Sequence, residues 1–175
     1  MLSKKMEDAL NVQINKEMYS GFLYMAMSAQ CTEMGLDGFA KWFMIQFHEE
    51  MFHAMKIYQY INDHGNKVNL KAIAAPAEKF DSVKAMFEKT LEHEKTVTKS
   101  IHDLVDLAKK EKDTASELFL GWYVTEQVEE EKNPSDILMK FKYVGKGDNP
   151  GLMFLDRGLG ERSLGVPSDF SNGVK

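Results

Sequence analysis

Glu50 and His53 stand three residues apart, a spacing that sets a carboxylate oxygen and an imidazole nitrogen on one helical face, within reach of a single metal ion. Gln127 and Glu130 repeat the interval with an amide first and a carboxylate second. Two further acids, Glu17 and Glu94, fall in separate amphipathic stretches at positions that otherwise carry apolar side chains. Glu-x-x-His alone recurs by chance in helices, so its weight comes from this company. An isolated carboxylate turned into a dry interior would be neutralised or excluded, and four of them near one level would also repel each other. Bound cations are the physical remedy. An oxygen-rich set with one imidazole and open positions suits Fe²⁺ better than structural Zn²⁺, which prefers four nitrogen or sulfur ligands.

These side chains meet only if four helices carry them inward. From about Ser3 to Met34, the residues Met6, Leu10, Gln13, Glu17, Ser20, Tyr24, Met27 and Cys31 form one helical stripe, closed by Gly35. Phe43, Gln46, Glu50, His53, Ile57, Tyr60 and His64 form a second, within about Phe39 to His64, and Gly65 ends it. A third begins near Ser82 and aligns Val83, Phe87, Thr90, Glu94, Val97, Ile101, Leu104 and Ala108. The fourth, from about Asp113, aligns Ser116, Leu120, Tyr123, Gln127, Glu130, Ile137 and Phe141. Short turns follow the first and third stretches. Asn66 to Phe80, with Ala74-Ala75-Pro76, has no helical period and reads as a long crossover between helices two and three, which can then run parallel. Counted from their shared end, Glu50, Glu94 and Glu130 each lie about eleven or twelve residues in, with Glu17 within roughly two turns of that level. The expected fold is all-α, a four-helix bundle.

Pro134 lacks an amide donor and crowds the carbonyl of Glu130, so a kink is expected there, with a break capped by Asn133 as the alternative. Beyond Gly145 and Gly147, Asn149-Pro150 opens a short fifth helix around Leu152-Met153-Phe154-Leu155. Apolar nearly all round, that piece is expected to be buried against other chains, which makes a homo-oligomer. Residues 1–165 then form one domain and 166–175 a flexible tail. Glu49, Glu126 and Glu129 make a second acidic layer beside the first, with Glu131 facing outward. That layer is either a solvated face or a third cation site on a cavity side, sharing Glu130.

The whole chain bounds these readings. At 175 residues it can bury a core without disulfides, and its single Cys31 cannot pair internally. There is no apolar leader and no run approaching the ~20 residues of a membrane span, so the expectation is a soluble, cytoplasmic protein without membrane contact. A net charge of −5 argues against a nucleic-acid partner. The twelve methionines read as core filler.

Four segments carry a resemblance: Asn11-Val12-Gln13-Ile14-Asn15-Lys16-Glu17, Glu49-Glu50-x-x-His53-Ala54, His93-Glu94, and Trp122-Tyr123-Val124-x-Glu126-Gln127-Val128-Glu129-Glu130-Glu131. Over nearly its whole length the chain resembles the prokaryotic non-haem ferritins. The resemblance implies a ferritin-like four-helix bundle with a ferroxidase centre. Glu17, Glu50 and His53 would hold a first iron, Glu50, Glu94 and Glu130 a second, and Glu49, Glu126, Glu129 and Glu130 a third. Gln127 would lie beside the first site, and Tyr24 would bond a ligand carboxylate and act as an electron donor. It further implies Fe²⁺ oxidation to Fe³⁺ by O₂ or H₂O₂, storage as ferric oxyhydroxide, and a hollow shell of 24 subunits, with the short fifth helix near a four-fold axis. In the symmetric di-iron scheme two helices each carry Glu-x-x-His. Here Gln127-x-x-Glu130 replaces one of them, which leaves the second iron without an imidazole and held more loosely. The same departure speaks against a haem-containing bacterioferritin, for which Met51 and Met55 would be the candidate ligands. A di-iron oxidase or peroxidase that stores nothing is another alternative, and a subunit that only assembles around iron is a third.

Overall fold

The computed structural model describes residues 1–145 and 150–166. Residues 167–175, nearly all of the expected tail, lie outside them. Ser3 starts α1 (Lys4–Glu33) by accepting a hydrogen bond from the Met6 amide at 3.1 Å. The helix stops where Gly35 takes φ +70°, and the amide of Leu36 turns back to the Cys31 carbonyl at 3.0 Å. α2 (Asp37–Asp63) begins at once and ends in the same way at Gly65. Ser82 and Asp113 cap α3 (Val83–Glu111) and α4 (Thr114–Phe141), accepting from the amides of Ala85 and Ser116. Between these last two helices Lys112 adopts the left-handed conformation, φ 57°. α5 (Pro150–Gly160) completes the order, and no strand occurs among the described residues. None of the described helices is long and apolar enough to cross a membrane.

The crossover from Asn66 to Phe80 runs along α1, pinned by side chains of that helix. Asn11 donates to the carbonyl of Lys67 (3.0 Å) and accepts from the amide of Asn69 (2.6 Å). Asn15 donates to the carbonyls of Lys71 and Ala72, and Gln30 both donates to and accepts from the backbone of Phe80. Contacts at positions 11, 15 and 30 thus follow the connection from one end of α1 toward the other. α3 therefore starts at the end where α2 starts, and the two run parallel as expected.

Two of the sequence expectations concern the far end. α4 continues without a break through the buried Pro134 to Phe141, so Asn133 caps no new helix. α5, expected to be covered by other chains, packs one face on α2 of its own chain, burying Leu155 and Leu159. Its opposite side carries Met153 and Phe154, 58% and 83% exposed. Asp156 explains the docking: α2 has no side-chain cap of its own, and Asp156 Oδ1 accepts the Phe39 amide at 2.9 Å.

The apolar interior forms two clusters. One joins Leu23, Met27, Phe39, Trp42, Phe43, Phe87 and Phe141 with α5, and the other joins Met6, Leu10, Ile57, Ile61, Ile101, Leu104 and Leu120. Between them lies a belt of buried polar side chains: Gln13, Glu17, Gln46, Glu50, His53, Glu94, Gln127 and Glu130.

Candidate metal centre

Each helix contributes its acid to this belt through the same periodicity that builds the core. Glu17 from α1, Glu50 from α2, Glu94 from α3 and Glu130 from α4 are 1%, 2%, 1% and 4% exposed. Their ligand atoms fall into overlapping trios, with the atoms of each lying within 4.8 Å of one another: Glu17, Glu50 and His53; Glu50, Glu94 and Glu130; His53, Glu126 and Glu130. Glu50 joins the first two trios and Glu130 the last two.

The electrostatics are those of carboxylates crowded together away from solvent. Burial above all, then repulsion from Glu94, Glu17 and Glu130, pushes the Glu50 carboxyl well above its ordinary range. Glu130 is raised in the same way, by burial and then by Glu94 and Glu49, and Glu17 by burial. Glu94 is raised by burial to about 7, with hydrogen bonds from Tyr24 and Gln127 working against the rise. His53 moves the other way, to about 4, because burial disfavours the imidazolium. Its ring is thus neutral at physiological pH and keeps a lone pair for a metal.

Within the trios, two buried atoms have no hydrogen-bond partner among the described residues, Glu17 Oε2 and His53 Nε2. Orphans of this kind cost roughly 1–3 kcal/mol each, and more for a charged group, unless a ligand satisfies them. Both belong to the trios. The chemistry of the donors, carboxylates with a single imidazole, fits a hard or borderline divalent ion such as Fe²⁺.

Around the trios the remaining polar atoms are tied down. Tyr24 donates its hydroxyl to Glu94 Oε1, so the expected bond from this tyrosine to a core carboxylate is present. Gln13 donates to Glu17 Oε1 at 2.8 Å and accepts from Ser100, which in turn accepts from Lys16 Nζ at 2.8 Å. Tyr123 donates to the carbonyl of His53 at 2.8 Å, and the Trp122 ring lies 5.4 Å from the His53 ring. His93 pairs with Ser20 at 2.8 Å.

Three placements differ from the sequence expectation. Gln127, expected beside the first trio, directs its amide to Glu94 in the second, 3.3 Å from Oε2, and to Thr98 Oγ1 at 3.1 Å. Its helix faces α3, which carries Glu94. Glu131, expected outward, is half-buried and accepts from the same Thr98 at 2.6 Å. Of the second acidic layer, only Glu126 and Glu130 join a trio. Glu129 is exposed, 3.4 Å from the Asn133 amide, while Glu49 forms an ion pair with Arg162 at 2.7 Å. Arg162 carried no sequence signal, since it follows α5 and reaches α2 across more than a hundred residues. Gln13 and Gln46 did carry one: they sit on the stripes of Glu17 and Glu50, one turn earlier.

A four-helix bundle with a long crossover and a carboxylate-lined interior defines the ferritin-like class. The family model described as the ferritin-like domain matches residues 7–144. A probable bacterial non-heme ferritin-like protein of Haemophilus influenzae is 44% identical over 163 residues, covering 93% of this chain and 98% of its own. The bacterial non-heme ferritin of Staphylococcus aureus is 39% identical over 164 residues, or 94% and 98% of the two chains. Among solved structures, an open pore ferritin from Archaeoglobus fulgidus superposes with a TM-score of 0.91 at 45% identity, covering 93% of this chain and all of that one. The chain belongs to the ferritin family, whose general role is iron storage.

Proposed function

We propose that this protein binds Fe²⁺ as a pair within each subunit, oxidises it with O₂ or H₂O₂, and passes the Fe³⁺ product to a mineral held inside a shell of identical subunits. The observation that carries the reading is Glu50, whose carboxylate belongs both to the trio with Glu17 and His53 and to the trio with Glu94 and Glu130. A carboxylate shared between two ions fixes their separation and lets O₂ receive two electrons from neighbouring Fe²⁺ ions, which avoids free superoxide. The protein supplies position and charge. Glu17, Glu50, Glu94 and Glu130 bring negative charge that two cations offset, His53 gives the first ion its only imidazole, and Tyr24 and Gln127 hold Glu94 in place. The second ion lacks an imidazole and should leave more readily, as suits a substrate in transit. Glu126 and Glu130, with Glu49 and Glu129 beside them, form the third cation site of the same reading. No haem is required, and the absorption spectrum of the purified protein separates this reading from a bacterioferritin.

The test is an anaerobic titration with Fe²⁺ followed by admission of O₂. Two tightly bound ions per subunit and a prompt rise in near-ultraviolet absorbance are expected, with dense cores in hollow particles after aerobic loading. Glu17→Ala combined with Glu50→Ala should slow oxidation by at least ten-fold while particles still assemble. Absence of Fe²⁺ binding, or oxidation by the double variant at the parental rate, would overturn the reading.

A further inference from the structure

Past α5 the chain turns back to the bundle, and Arg162 enters the inner acidic layer. Its Nη2 lies 2.7 Å from Glu49 Oε2, its Nη1 donates to Gln46 Oε1 at 2.5 Å, and its guanidinium lies over Trp42, 5.0 Å from the ring centroid. Arginine can only donate, so Gln46 must present its oxygen to Arg162 and its NH₂ to the other side. There the NH₂ meets Glu130 Oε2 at 2.7 Å. One guanidinium therefore neutralises Glu49 directly and occupies a lone pair of Glu130 through a buried amide.

The layer it enters carries an independent sign of a ligand. His53 Nε2 belongs to a side chain 2% exposed, has no hydrogen-bond partner among the described residues, and faces Glu126 Oε1 across 3.9 Å. Glu49 joins none of the trios but lies close enough for its charge to act on Glu126 and Glu130, so an ion drawn there would be drawn by Glu49 as well, and Glu49 is already paired. It would also meet a positive charge held in place by two hydrogen bonds and a ring. Residues 162–165 are not helical, so Arg162 can withdraw without unwinding a helix.

We propose that Arg162 is a built-in counter-cation that competes with a third metal ion for Glu49, so that this layer takes an ion fully only when the guanidinium has moved away. The inference rests on the third-site reading above. Binding of the ion and seating of the C-terminal segment oppose each other, and by linkage each weakens the other by the same factor.

Zn²⁺, which has no redox chemistry, probes this without reference to oxidation. Metal-free assembled protein is titrated calorimetrically, with bound Zn²⁺ counted after equilibrium dialysis, for the native chain, Arg162→Gln, Arg162→Lys, and Arg162→Gln combined with Glu49→Gln. A third Zn²⁺ should bind Arg162→Gln at least ten-fold more tightly than the native chain, and the combined variant should lose that gain. Arg162→Lys keeps the charge but not the fork, so it should fall between; if Arg162→Gln does not assemble, Arg162→Lys carries the same comparison. A third ion bound equally by the native chain and both single variants would overturn the competition and leave the third site standing. No ion beyond the second in any of them would overturn both.

Discussion

Glu94 shows how much free energy one side chain in the belt holds in reserve. Its carboxyl titrates near 4.5 when exposed and about 7 in the folded, metal-free protein, chiefly because of burial. Between those values the folded chain keeps a proton that the unfolded chain has released. The stability this contributes is complete below pH 4.5 and is lost as pH rises through 7, roughly 3 kcal/mol in all. His53 and His93, both depressed to about 4 by burial, act in the opposite sense, since they favour folding only once pH exceeds the range in which the unfolded imidazoles are charged. A comparison with Glu94→Gln isolates the carboxyl. In urea unfolding of chelator-treated protein, the native chain should lose roughly 3 kcal/mol relative to the variant as pH rises from 4.5 to past 7. Saturation with a divalent ion should flatten the difference, because the ion takes the place of the proton. A gap that does not change with pH would show that Glu94 is ionised throughout.

Among the elements, α5 depends on one very close approach. A Cβ added to Gly38 would sit 1.8 Å from the backbone oxygen of Asp156, which no side-chain rearrangement can relieve. Gly38→Ala should therefore detach α5 and expose Leu155 and Leu159, at a cost on the order of 3 kcal/mol. Limited proteolysis should cut the C-terminal segment while the four-helix bundle stays intact; a variant as resistant as the native chain would show that α5 is held by other means. Neither Gly38 nor Asp156 announced this in the sequence, because the pair is 118 residues apart and the cap belongs to a different helix from the amide it serves. The four long helices were legible, since Glu17, Glu50, Glu94 and Glu130 share a 3.6-residue phase with Leu10, Ile57, Val97 and Leu120. The same phase located the core acids and brought out Gln13 and Gln46 without assigning them a partner. It could not tell which neighbouring helix Gln127 would address, nor that Glu49 would be paired, because those facts depend on how helices rotate against one another and on where a loop returns. Pro134 is of the same kind. Its missing donor is visible in the sequence, but whether the helix survives it is decided by packing, here in favour of continuity because Ile137 and Phe141 remain buried.

At the scale of the molecule, apolar surface is left over that one subunit cannot cover. Leu118 and Val128 on α4 are 76% and 68% exposed, and Met153 and Phe154 lie uncovered on α5. Scattered apolar residues are ordinary, but side chains this large and this exposed on α4 and α5 fit contacts between copies. Phe154→Asp should shift the particle toward smaller species in light scattering, while circular dichroism stays unchanged; an unaltered particle would place the contacts elsewhere. The belt between the two apolar clusters has a further consequence for motion. Helices ordinarily exchange their amide hydrogens fastest at the ends, yet here both ends are anchored in hydrocarbon while the middle carries mutually repelling acids and unsatisfied atoms. Without metal, deuterium should enter fastest around residues 50, 94 and 130, so that the chain breathes at its waist, and a bound ion should close that opening.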